Sequence, residues 1–223
     1  MPVWSLAALG VTLPLLAGVG ARYLVHGNLN AIHLVLSLFL STNLLICGWE
    51  ACLFLQRDVI AARAAVWRQW HRDTGRSPVG GFLSARVPCR RVLSPTVWAD
   101  VWATYSFFDG SFSDRRSFGF SADVGNGFVT PIPTLVLYAA FTLGILPAVA
   151  AGILGLMLFW QWTYVTSVYW VSFFLAGRHR RITRVETLVW IGAVNAPWVL
   201  CPLLGLDVSI RLVLDGNYAV LGF

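Results

Sequence analysis

Apolar residues fill five stretches of the chain, at about residues 3–24, 31–55, 128–146, 147–175 and 187–206. Each approaches the ~20 residues that a helix needs to cross a bilayer. The third and fourth run together, and Pro147 is the natural break between them. One long polar section, 56–127, separates stretches two and three, and a short basic one, Gly177 to Arg184, separates four and five. The pattern predicts an all-α, polytopic membrane protein: a five-helix bundle forming a single transmembrane domain over residues 1–223.

The long polar section is patterned too. Residues 59–71 are rich in helix formers and set Trp67 and Trp70 beside Arg63, Arg68 and Arg72. Trp and Arg together suit the lipid headgroup layer, so an in-plane helix continuing the second span is expected. Residues 74–94 hold Gly, Pro and Arg and read as irregular. From Pro95 to residue 127 the chain is dense in aromatics, Asp and Arg, which predicts a cap between helices 2 and 3 that packs over the mouth of the bundle.

Composition supports the membrane class. Hydrophobic residues make up 57% and charged residues 12%, against about 25% charged in a soluble domain. Mean hydropathy is +0.70. All sixteen basic residues are Arg, and fourteen lie in the two polar connections, 57–116 and 178–184. With five spans both connections fall on one side, so the positive-inside rule assigns them and the N-terminus to the cytoplasm. The +6 charge is thereby explained by topology and anionic lipid headgroups, and nucleic-acid binding is excluded. The first stretch lacks a basic n-region and is too long for a signal-peptide core. Cys47, Cys52, Cys89 and Cys201 have no metal-ligand spacing, so neither a zinc site, a disulfide nor a cofactor is expected.

Polar residues inside the spans carry the functional signal. Asn195-Ala196-Pro197-Trp198 interrupts the last stretch, and lipid offers an amide no partner. Asn195 and Trp198, about one turn apart, are expected to face the protein interior. Glu50 lies within the second stretch, where an ionised carboxylate costs several kcal/mol. A protonated or hydrogen-bonded carboxyl is therefore expected, either as a structural bond or as an acid for alkene chemistry. The fourth stretch carries Gln161, Tyr164, Thr166 and Ser167 too deep for an interfacial belt. With Asn43, Thr130 and Thr134 they outline a polar interior suited to a ligand. In the cap, Asp109, Asp114 and Asp123 accompany Arg115 and Arg116, a pattern of salt bridges. Asp207 and Arg211 are four apart and read as a local pair.

Four short motifs, in order, resemble the EXPERA superfamily of five-span membrane proteins, typified by the emopamil-binding sterol Δ8–Δ7 isomerases. They are Gly48-Trp49 in span two, Trp102, Tyr105 and Asp109 in the cap, Gln161, Tyr164 and Tyr169-Trp170 in span four, and Asn195, Trp198 and Pro202 in span five. The resemblance covers roughly residues 35–215. It implies a lipid pocket built from the five spans and closed by the cap, with Asn195, Trp198, Tyr164, Gln161, Thr166, Tyr105, Asp109 and Thr130 contacting ligand. The departures are specific. Where the family carries a His and a Glu before Gly-Trp, this chain has Asn43 and Cys47. The family's Glu at the start of span three aligns with Thr130, or with Asp123 if no gap is allowed. The cap's Asp-x-Arg is replaced by a longer insert ending Ser113-Asp114-Arg115-Arg116.

The resulting expectation is an integral membrane protein that binds a sterol- or terpenoid-like lipid and shifts a ring double bond. Glu50 with Asn43 would donate the proton, Asp123 or Asp114 accept one, and Trp198 hold the carbocation against its indole face. A non-catalytic lipid- or partner-binding protein and a small membrane terpene cyclase are the alternatives; the last also fits Trp49-Glu50 within a span. The partners expected are one hydrophobic small molecule and membrane lipids, and homodimerisation stays open.

Overall fold

The computed structural model describes residues 1–223, which form helices joined by turns and irregular connections, with one isolated bridge between Pro2 and Arg86. The helices are α1 (Val3–His26), α2 (Ala31–Leu55), α3 (Arg57–Thr74), α4 (Pro78–Ser84), α5 (Pro95–Tyr105), α6 (Phe118–Val129), α7 (Pro131–Leu143), α8 (Ala148–Leu175), the single turn α9 (Arg184–Glu186) and α10 (Pro197–Asp215). A π-helix, Thr187–Ala193, follows α9 directly.

Four helical segments are long and apolar enough to cross a membrane: Val3–His26, Ala31–Leu55, Ala148–Leu175 and Arg184–Asp215. A fifth crossing exists if the bent pair α6 and α7 counts as one span. These are the helices of a multi-pass membrane protein. The gap between α7 and α8 includes Pro147, as the apolar pattern indicates, and Gly144 ends α7 at φ 66°.

Three boundaries differ from the sequence reading, each for a backbone reason. The third stretch is not a straight helix from 128 to 146. It is α7, thirteen residues long, joined to α6 through a 55° bend. Pro131 and Pro133 lack the N–H groups that would bond the carbonyls of Gly127 and Val129, so the helix breaks there. Residues 118–127, read as part of a cap, are consequently helical. The segment 74–94 is not wholly irregular, because Pro78 at the first helical position starts α4. The last span begins at Arg184 and ends at Asp215 instead of running from 187 to 206. Pro197 cannot donate to the carbonyl of Ala193, which separates the π-helix from α10.

The chain forms two compact units. The first comprises Met1–Leu9, Ile46–Phe128 and Tyr169–Gly192. Its core joins Leu53 of α2, Ile60 and Ala64 of α3, Trp102 of α5, Phe120 of α6 and Phe173 of α8. The second comprises Gly10–Leu45, Val129–Val168 and Ala193–Phe223. There Leu36 and Leu40 of α2, Leu137 and Phe141 of α7, Phe159 of α8 and Leu212 of α10 pack together.

Candidate functional site

In the first unit, polar groups of α2, α5, α6 and α8 gather inside an aromatic core. Glu50 is buried, at 4% exposure. Its Oε2 accepts a hydrogen bond from the Asn126 amide at 2.6 Å, and the same amide lies 3.7 Å from the Cys47 sulfur. The approach of α6 to α2 that permits this depends on Gly127. A Cβ there would lie 2.7 Å from both Glu50 Cβ and the Ala51 nitrogen, closer than atoms pack. Asp123 stands three residues before Asn126 and therefore on the same helical face. Its charge acts on Glu50, and that of Asp109 acts on Asp123.

Asp109 is fully buried and well partnered. Its carboxylate accepts from the Ser111 backbone N–H at 2.9 Å and from the Tyr169 hydroxyl at 2.9 Å. Arg178 adds an ion pair at 3.2 Å. Tyr105 lies within hydrogen-bonding reach of Tyr169 and donates its own hydroxyl to the Trp190 carbonyl at 2.7 Å. Asp109 is thus joined to one phenol and one guanidinium, and Glu50 is joined to α6 through Asn126.

A second ionic group in this unit ties α3 to α5. Arg63 and the Trp67 indole both donate to Asp100, the latter at 3.0 Å. The hydrogen bonds to Asp100 hold the Arg63 guanidinium above its ordinary value. Asp114, in contrast, is exposed and its side chain only accepts from the Arg116 backbone at 3.0 Å. Arg115 pairs with Asp58 at the surface. So Asp123 and Asp109 join Glu50's neighbourhood, while Asp114 belongs to a solvated turn.

The second unit holds the remaining residues singled out in the sequence. Asn43 is buried and accepts from the Trp198 indole N–H at 3.0 Å. Trp198 also meets Phe39 edge-on, with ring centroids 6.1 Å apart. Asn195 is partly buried, and its carbonyl accepts from the Trp198 backbone at 3.1 Å, capping the start of α10. Gln161 and Thr166 are partly buried on α8. Tyr164 is 55% exposed and stacks on Trp160. Thr130 is buried at the bend, its carbonyl accepting from Thr134 at 2.9 Å. Asp207 and Arg211 pair at 3.2 Å on the surface. Beyond α10, burial raises the Tyr218 hydroxyl above its ordinary value.

Three contributors escape the sequence reading. Asn126 lies between Gly125 and Gly127 in a segment read as cap, and an amide flanked by glycines within an aromatic helix is the signal that marks it. Arg178 looks like one more topological Arg, and only the fold brings it to Asp109. Cys47 stands out in the sequence only as the replacement for a family Glu, yet it shares the Asn126 amide with Glu50. No cluster of metal ligands is present.

No protein-family model, curated protein or solved structure matches this chain. The functional argument therefore stands on the chemistry of these residues.

Proposed function

We propose that this protein binds a sterol- or terpenoid-like lipid and moves one carbon–carbon double bond by protonation and deprotonation, as the EXPERA-like motifs suggest. The observation that carries the reading is the pairing of Glu50 with α6, which presents an amide and a second carboxyl one turn apart. Buried acids grouped this way are what acid–base chemistry on an alkene requires.

Glu50 carries the proton and gives it to one alkene carbon. The π electrons form the new C–H bond, leaving a carbocation on the other carbon. The carboxylate form of Asp123 removes a proton from the next carbon, and those C–H electrons form the shifted double bond. The lipid keeps its composition, Asp123 releases its proton to solvent, and Glu50 takes a new one from solvent. Asn126 orients the Glu50 carboxyl, while Arg178 and Tyr169 keep the Asp109 charge neutralised nearby. The lipid would reach this site from the membrane, with the Arg-rich connections on the cytoplasmic side.

A non-catalytic lipid-binding protein is the second reading. It is favoured by Asn43 and Cys47, which stand where the resembled family carries its His and Glu and which both hydrogen-bond to neighbouring side chains. Incubating purified protein with a Δ8-sterol, and separately with a polyprenyl substrate, distinguishes the readings by mass spectrometry of the products. Wild-type protein converts the sterol, and Glu50→Gln lowers turnover by about 10²-fold or more, the scale of a lost general acid. Sterol that binds but is never converted establishes the second reading instead.

A further inference from the structure

The first unit contains a pocket of about 480 Å³ that plays no part in the acid–base chemistry above. This volume lies in the range of small-molecule sites, roughly 300–1,000 Å³. Trp170 and Phe174 of α8 and Leu188 and Ile191 of the π-helix form almost wholly apolar walls, and His179, Arg184 and Thr187 border them. The π-helix shapes the cavity. Its Trp190 and Ile191 carbonyls accept side-chain bonds, from Tyr105 at 2.7 Å and from the Trp170 indole at 2.8 Å. These two bonds pin one face of the wider helix, and Gly192 on the other leaves space open.

We propose that this pocket binds an anionic phospholipid of the surrounding membrane, with its phosphate against Arg184 and His179 and one acyl chain along Phe174, Leu188 and Ile191. Three observations converge on that occupant. His179 lines the pocket beside Arg184 and places a second basic side chain at its polar end. Arg184 is exposed, and the one acid beside it, Glu186, is engaged by the Thr183 N–H and hydroxyl at 2.8 and 2.9 Å. The walls are apolar and continuous with exposed hydrophobic surface, Leu188 at 71% and Phe174 at 50% exposure. Basic groups at the end of an apolar span suit the headgroup layer, where anionic lipids are recognised. A free phosphate would fill only the polar end, and phosphatidylcholine, which has the same phosphate, would bring a choline cation against Arg184 and its basic neighbours.

The test uses the full-length protein in detergent, presented with phosphatidylglycerol and phosphatidylcholine of matched chains and read by native mass spectrometry. Phosphatidylglycerol is retained preferentially, and Arg184→Gln weakens it about fivefold, the ~1 kcal/mol of one basic residue. Arg184→Lys restores retention. Phosphatidylglycerol brominated on its acyl chain quenches Trp170 fluorescence, a component that Trp170→Phe removes. Gly192→Leu, whose added Cβ would have no neighbour closer than 3.8 Å, plugs the pocket and abolishes that quenching without unfolding the chain. Equal retention of both lipids, or retention unchanged in Arg184→Gln and Gly192→Leu, overturns the proposal. Displacement of the lipid by millimolar inorganic phosphate alone also overturns it, because the site would then recognise the anion and not the chain.

Discussion

Glu50 is held by a single identified donor, and that makes its surroundings testable one atom at a time. Asn126 gives Glu50 a 2.6 Å hydrogen bond inside a core from which both side chains are almost excluded from solvent. Replacing Asn126 by Leu keeps the volume but leaves a buried carboxyl without this donor, a loss of about 1–3 kcal/mol. Glu50→Gln keeps an oxygen that can accept the same bond, so its folding cost is smaller. Thermal unfolding in detergent should therefore rank Asn126→Leu below Glu50→Gln, and the reverse order would show that the carboxyl is not held by this amide. Glu50 was legible in the sequence because a carboxyl in an apolar stretch has few alternatives. Asn126 was not, because its meaning depends on a residue 76 positions away in the chain.

At the scale of elements, the sites depend on how closely helices approach and where they break. Gly127 is the contact point of α6 on α2. Adding a methyl there places it 2.7 Å from backbone and Cβ atoms that have no room to move. Gly125, two residues earlier, meets nothing within 4 Å. Gly127→Ala should lower stability by about 1–3 kcal/mol through overpacking. Gly125→Ala should be neutral or gain up to about 1 kcal/mol, since Ala is the better helix former. Equal melting shifts for the two variants would mean that α6 does not pack on α2 as described. The apolar pattern alone locates most spans, because length and hydropathy suffice for that. It does not locate the α6–α7 bend or the π-helix. The bend and the break after the π-helix arise from backbone N–H groups that Pro131, Pro133 and Pro197 lack, and a hydropathy pattern carries no such information.

For the molecule as a whole, an all-helical multi-pass architecture follows from the sequence, and so does the local pair Asp207–Arg211. The grouping of acids does not. Glu50, Asp123 and Asp109 come from α2, α6 and the turn after α5, and Arg178 from beyond α8. Within the Arg-rich connections, Arg178 neutralises a buried acid. The account's central claim is that Glu50 delivers a proton to a lipid alkene and a neighbouring carboxyl removes another. The most direct measurement is turnover of a Δ8-sterol by the purified protein in D₂O, with the product's mass and deuterium position determined. The account predicts an isomeric product carrying one solvent-derived deuteron at the carbon that left the double bond, with Glu50→Gln forming labelled product at least about 10²-fold more slowly. An isomerised product without deuterium, or full labelling by Glu50→Gln, would contradict it.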